Sequence, residues 1–427
     1  MKKLRFIWLS MVCLALFSVP SILAQGTTPA NFKIAFIGDQ GRGENPTKVL
    51  KLIRDEKADA VLHAGDFDYT YSPWAWEDQI NSVLGPDFPY FALPGNHDTS
   101  NFYGQSGYQS YMQARMNRLG IPWHGDLGVM SSFTYQGIFF VLTAPAVFGT
   151  GHAAYIRDQL AGTEAIWRIS SWHKNMRNMQ VGNKTDETGW EVYEESRRGG
   201  AIVATGHEHS YSRTHLLSSC ENQWVASTSD TLVLTKDLPE TQDDEGKTFV
   251  FVSGIAGATI REQKRTGDWW ASIYSATQGA NFGALFGIFN VDGNTNKAKF
   301  YFKDITGAIP DSFIVISQVV AKIQLSDVSE APASPASFSL SQNYPNPFNP
   351  ETEIRFNLSE NTPVQLQIFS TLGRTIRTLI DGQYGAGEHS IQWDGRDDQG
   401  NPAPSGMYLY RLTTPGAFQV KKMTLMR

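Results

Sequence analysis

Cysteine is scarce: the chain has two in 427 residues. One of them, Cys13, falls in an apolar N-terminal stretch expected to be removed. That leaves Cys220 alone, so an intrachain disulfide is excluded from the mature chain even though export would permit one. Cys220 has no motif around it and reads as a small packing residue. Positive charge is also short, with 36 Lys and Arg against 42 Asp and Glu and a formal net charge of −6. Loss of Lys2, Lys3 and Arg5 with the first 24 residues would take that to −9. This balance disfavours nucleic acid as the main partner, because phosphate backbones are bound by basic patches. Long apolar runs are missing after the N-terminus, so no transmembrane span is expected.

At the N-terminus itself, Lys2, Lys3 and Arg5 precede an apolar run from Phe6 to Phe17. Ser21-Ile22-Leu23-Ala24 then offers a small-residue cleavage site, and residues 1–24 read as a secretory signal peptide. Past it the composition is that of a globular protein, 41% hydrophobic and 18% charged. The 11 Trp, 16 Tyr and 25 Phe favour packed sheets over helical bundles.

Short apolar runs alternate with amphipathic stretches from Asn31 onward. Strands are expected at Phe32–Ile37, Ala60–Ala64, Tyr90–Leu93, Trp167–Trp172, Ala201–Thr205 and Thr248–Val252, and near Phe286–Phe302. A hairpin is expected from Ser131–Gln136 and Ile138–Thr143. Helices are expected at Thr47–Glu56, Tyr108–Leu119 and Glu187–Arg198. Five of the strands run into polar, catalysis-prone residues, in the order GDQG at Asp39, GDFDY at Asp66 and Tyr69, GNHD at Asn96 and His97, SWH at His173, and GHEH at His207 and His209. Open α/β sheets build their sites at such carboxyl ends.

Taken singly, each of these residues has an ordinary use: Asp as a turn or cap residue, Tyr as packing, His as a hydrogen-bonded core group. Taken together they are carboxylate, phenolate, amide and imidazole donors, the set that suits iron, zinc or manganese. An anionic phosphate ester repels hydroxide. Two cations about 3.5–4 Å apart can hold the phosphoryl oxygens, acidify a water and stabilise the departing oxygen. His63 reads as structural, Trp74 and Trp76 as packing, and His124, His152 and His215 as loop residues.

The ordered series GDQG, GDFDY, GNHD, an isolated His and GHEH resembles the signature of purple acid phosphatases, within the calcineurin-like metallophosphoesterases. The resemblance implies an α/β fold of the calcineurin-like two-sheet αββα sandwich type. It implies that Asp39, Asp66, Tyr69 and His209 hold a ferric ion, with Asp66 bridging to a Zn(II), Fe(II) or Mn(II) ion completed by Asn96, His173 and His207. In that family a His two residues after the first Asp gives way to the tyrosinate, and here that place is Gly41. His97 would stand outside the metals, close to the phosphoryl group, so that His97, Asp66 and Asn96 are the expected catalytic residues. The family usually has one or two further His residues nine or ten positions past the isolated ligand, where this chain has Gly182 and Asn183. The implied activity is hydrolysis of phosphomonoesters by metal-bound hydroxide. Alternatives are a phosphodiesterase or nucleotidase on the same site, or a surface binding protein without turnover.

Ser326–Ser337 is rich in Ser, Ala and Pro and reads as a linker after a catalytic domain at 31–325. From 338 to 427 the pattern is all-β, with runs at Thr352–Leu358, Val364–Phe369, His389–Trp393 and Gly406–Leu412. SLSQNYPNPFNPETEIRFNL, STLGRTIRTL, QWDGRDDQGNPAPSGMYLYRL and KKMTLMR resemble the C-terminal sorting domain of the type IX secretion system. That resemblance implies an immunoglobulin-like sandwich, the type IX machinery as partner, and passage through the periplasm to the outer-membrane surface or the medium.

Overall fold

The computed structural model describes residues 28–237, 245–319, 338–370, 375–414 and 417–426. The expected signal peptide and the expected linker lie outside them. The chain divides into two compact units, Met1–Ile323 and Gln324–Arg427.

Two large mixed sheets and a two-stranded antiparallel pair, Leu216–Ser219 with Trp224–Ser227, make up the strands of the first unit. Its seven-stranded sheet runs Thr231–Leu234, Asp311–Ser317, Lys297–Asp304, Gly283–Phe289, Phe32–Ile37, Ala60–His63, Tyr90–Ala92. Its eight-stranded sheet runs Trp270–Tyr274, Tyr211–Thr214, Val250–Ser253, Ile202–Thr205, Trp167–Trp172, Ile138–Thr143, Met130–Tyr135, His124–Asp126. The strands that lead into the motifs pair in parallel, Phe32–Ile37 with Ala60–His63 and Tyr90–Ala92 in one sheet, and Trp167–Trp172 with Ile202–Thr205 in the other. Their carboxyl ends therefore share one edge of each sheet.

Side-chain alternation decides how the layers stack. On Ile138–Thr143, Ile138, Phe140 and Leu142 join the core between the sheets, while Val141 faces a smaller core with Ile156, Leu160, Val192 and Val203. That second core is where helices His152–Ala161 and Glu191–Arg198 cover the outer face. Across the middle, Phe36 meets Phe251 with ring centroids 5.2 Å apart, and Phe91 meets Phe140 at 5.3 Å. Each such ring contributes about 1.5–3 kcal/mol through burial. The first unit is the expected two-sheet α/β sandwich.

One buried ion pair ties the sheets together. Arg213 of the eight-stranded sheet donates to both carboxylate oxygens of Asp311 in the seven-stranded one, at 2.8 and 3.0 Å. Tyr211 donates to the same Asp311 at 2.6 Å, and the Arg213 guanidinium lies 4.1 Å from the Phe313 ring centre.

Several local expectations change. The first helix spans Glu44–Asp55 rather than starting at Thr47, because Pro46 fits a first helical turn where no N–H is needed. The helix expected from Glu187 begins at Glu191; Gly189 has φ +85°, and the Glu187 carboxylate is taken up by Lys174 and His207. His124 lies in a short strand and His152 opens a helix, so neither is a loop residue. Helix Pro73–Leu84 follows Tyr69 and buries Trp76 against Phe67, at 4.6 Å between rings, while Trp74 stays exposed.

The second unit is the expected small all-β sandwich. A three-stranded antiparallel sheet contains Phe338–Leu340, Thr352–Leu358 and Gly387–Trp393, and a four-stranded one Thr375–Tyr384, Thr362–Ser370, Gly406–Thr414 and Ala417–Leu425. Ile354, Phe356, Leu366, Ile368, Trp393 and Tyr410 fill its core.

Asp311→Ala should cost about 3–5 kcal/mol, because it leaves the buried Arg213 charge with only the exposed Asp230, 3.3 Å away. Denaturant unfolding of the two proteins checks this, and a loss below 1 kcal/mol would remove the pair from the account of how the sheets are joined.

Candidate metal centre

The motif residues stand just beyond the parallel strands, where backbones crowd. Asp39 N–H donates to Gly65 O at 2.9 Å, Gly206 N–H to His173 O at 3.3 Å, and Ala256 N–H to Gly38 O at 3.2 Å. Gly65, at φ +85°, has no room for a side chain, since a Cβ would lie 2.6 Å from Gly95 N and 2.7 Å from His173 Nδ1. Asp39, Asp66, Tyr69 and His207 all hold left-handed backbone, at φ 56°, 57°, 55° and 70°. For residues with a Cβ this costs roughly 1–3 kcal/mol each, strain that the surrounding structure has to hold.

Two acids do part of that work without facing the site. Asp98 accepts from the backbone N–H of Asp66, Phe67 and Gly95 at 2.9, 2.9 and 2.7 Å, so it locks two motif loops together. Asp68 accepts from the N–H of Thr70, Tyr71 and Ser72 and from the Tyr108 hydroxyl. That bends the loop and turns the Tyr69 ring back over the site. Both acids sit inside the GDFDY and GNHD motifs, and their spacing to the neighbouring donors was the available signal for them.

The side chains converge in two overlapping groups. Tyr69 Oη lies 3.1 Å from Asp39 Oδ1, 3.1 Å from Asp66 Oδ2 and 3.1 Å from His209 Nε2. His209 Nε2 is 3.2 Å from Asp39 Oδ1, and its Nδ1 meets the Thr259 hydroxyl. On the other side, His173 Nε2 lies 3.3 Å from Asp66 Oδ2 and 3.0 Å from His207 Nδ1. Asp66, His173 and His207 offer donor atoms all within 4.8 Å of one another, and all three are buried. Asp66 Oδ1 and Asp39 Oδ2 are each held by a backbone donor, His97 N at 2.9 Å and His207 N at 2.7 Å. Gly41 backs the Tyr69 ring, with a Cβ there only 3.7 Å from Tyr69 Cδ2.

The donor set calls for a cation. Tyr69 has one proton for two carboxylate oxygens, with the His209 nitrogen also at 3.1 Å. His173 Nδ1 faces the Ala64 carbonyl at 2.7 Å, which fixes that nitrogen as an N–H and turns Nε2 towards a carboxylate and another imidazole. The Asn96 side-chain oxygen is buried with no hydrogen-bond partner among the described residues. Bound metal would satisfy these groups.

Charge follows the same logic. Burial opposes the ionised form of Asp66, but His173 and the His97 N–H outweigh it and hold its carboxyl far below the usual range. Burial likewise opposes Asp39, and His209 holds it below its ordinary value. Burial would lower His173, but Asp66 and Asp39 push it up to about 9. Burial, with the charges of His173 and Lys184 adding to it, takes His207 down to about 4 although Glu187 opposes. Burial and the two carboxylates push the Tyr69 phenol well above its usual value.

Comparison with known proteins finds similar domains. Residues 32–211 match the family described as calcineurin-like phosphoesterase. The chain carries a calcineurin-like metallophosphoesterase domain. Residues 345–417 match the FlgD Ig-like domain. The purple acid phosphatase PPD1 from yellow lupin (Lupinus luteus) seeds is 18% identical with TM-score 0.50, over 67% of this chain and 53% of the lupin chain, so this chain spans about half that enzyme's length. PhoD is 13% identical with TM-score 0.42, over 69% of this chain and 71% of PhoD. FlgD from P. aeruginosa is 28% identical with TM-score 0.15, over 17% of this chain and 59% of FlgD. No curated protein matches. The domain match and the Asp66–His173–His207 group support a metal-dependent hydrolase.

His173, held protonated to about pH 9 when no metal is bound, has to lose that proton to become a ligand. Uptake of zinc by metal-free protein at pH 7 should therefore release at least one proton, and apparent affinity should rise as pH climbs towards 9. Calorimetry in two buffers of different ionisation enthalpy measures the release, and uptake without it would show that His173 is already neutral.

Proposed function

We propose that the first unit is a dinuclear phosphoesterase acting on phosphomonoesters. The observation that carries this reading is the double engagement of Asp66, whose Oδ2 is 3.1 Å from Tyr69 and 3.3 Å from His173 and so faces both donor groups. Asp39, Tyr69 and His209, with Asp66, would hold a ferric ion. Asp66, Asn96, His173 and His207 would hold Zn(II), Fe(II) or Mn(II). Bound there, the two ions supply positive charge to the phosphoryl oxygens and acidify a water molecule.

The chain's own part is to pre-organise the site. Asp98 and Asp68 fix the loops, and the left-handed residues aim the carboxylates inward before substrate arrives. His97 stacks beside Tyr69 at 4.7 Å between rings and is only half-buried. Its ring nitrogens have no hydrogen-bond partner among the described residues. It is the group placed to donate to a phosphoryl oxygen or pass a proton to the departing alcohol as water attacks phosphorus in line.

The second unit serves export in this reading. Its Asn-Pro-rich opening and closing KKMTLMR resemble the sorting signal of type IX secretion, and the N-terminal signal would deliver the chain to the periplasm first. The natural location is then the outer-membrane surface or the medium.

The deciding experiment is a hydrolysis screen of phosphomonoesters and diesters with metal analysis on the same sample. About two metals per chain and monoester turnover are expected. A single metal that sustains full activity, or no hydrolysis from metal-loaded protein, would defeat the proposal. Removal of residues 338–427 should leave hydrolysis within about twofold and abolish surface display, by the general rule that function resides in the site rather than in appended modules. A folded truncation without activity would refute that division of labour.

A further inference from the structure

Gly182 and Asn183 occupy the places where the resembled family supplies imidazoles, and neither can supply a side chain to the site. A Cβ on Gly182 would lie 2.1 Å from Glu208 Cδ, so the Glu208 carboxylate already fills that space. Asn183 is exposed. The next residue behaves differently. Lys184 is half-buried, and its Nζ lies 3.1 Å from His207 Nδ1 and 2.9 Å from His207 Nε2. A single atom that close to both ring nitrogens stands over the face of the imidazole.

The neighbouring carboxylates are engaged by other groups. Lys174 pairs with Glu187 at 3.0 Å, and Glu187 reaches His207 Nε2 at 2.9 Å. Arg261 lies 3.5 Å from Glu208 and donates to the His207 carbonyl at 3.2 Å. No carboxylate of the described residues comes within ion-pair distance of Lys184. Its backbone is anchored instead, since Gln180 Nε2 donates to the Lys184 carbonyl at 2.9 Å. A partly desolvated cation against a site imidazole whose carbonyl Arg261 also holds is a receptor for negative charge.

We propose that Lys184, flanked by Arg261, is a specificity-determining residue that binds a non-bridging phosphoryl oxygen and so favours dianionic phosphomonoesters over monoanionic diesters. The inference rests on the phosphoesterase reading and assigns its substrate class to a named side chain. A monoester presents one more charged oxygen than a diester, in which that oxygen is esterified. The Lys184 ammonium adds most where that extra charge is present.

The test compares wild type, Lys184→Gln and Lys184→Arg, all metal-loaded, on para-nitrophenyl phosphate and bis(para-nitrophenyl) phosphate. Metal content and binding of inorganic phosphate by calorimetry accompany the kinetics. Lys184→Gln should lose about ten- to a hundredfold in kcat/KM on the monoester and less than about threefold on the diester, the loss of one charge-assisted hydrogen bond. Phosphate affinity should fall in parallel, metal content should hold, and Lys184→Arg should recover most of the monoester activity. Equal losses on both esters, unchanged phosphate affinity, or loss of metal would each overturn the assignment. Failure of wild type on both esters would instead defeat the phosphoesterase reading itself.

Discussion

Asp39 and Asp66 are both buried, and both lie 3.1 Å from a single phenolic oxygen. Two carboxylates that close cannot stay ionised in a low-dielectric interior without countercharge. The structure sets an imidazole against each: His209 lies 3.2 Å from Asp39 and His173 3.3 Å from Asp66. Everything else near the junction of the two sheets serves to keep this cluster of bases together. The strands end there, the glycines let their backbones approach, and four residues accept left-handed conformations to aim inward.

The cost of that arrangement is spread through the fold. Strain at Asp39, Asp66, Tyr69 and His207 is sustained because Asp98 and Asp68 fasten the loops with backbone hydrogen bonds, and because the strands beneath are fully buried between aromatic layers. The Arg213–Asp311 pair contributes at a distance by joining the sheets whose edges supply the ligands. A site built from two sheets depends on their relative placement more than one built on a single loop would.

The trade of His for Gly at position 41 also acquires a physical sense. The Tyr69 ring lies against Gly41, so the phenol takes the side of the site from which an imidazole at 41 would otherwise reach. A comparable trade occurs at 182, where a missing side chain makes room for Glu208 and leaves Lys184 as the cation beside His207. Both substitutions rearrange charge around the same donors without removing any of them.

Much of the fold was legible because burial imposes a period. Trp167–Trp172 and Phe32–Ile37 are buried along all or nearly all of their length and end at a motif, and they occur as read. Helix Pro73–Leu84 and the true start at Glu191 were not legible, since one depends on Trp76 finding an aromatic pocket and the other on Glu187 being drawn to a distant Lys and His. The sequence by itself determined which donor types exist and in what order, because side-chain chemistry is local. Which of them share an oxygen, that Asp66 faces both groups, and that Lys184 rather than position 182 stands over His207 were decided only by tertiary structure. Those facts are distances between residues up to 170 positions apart, as between Asp39 and His209, set by how two sheets pack.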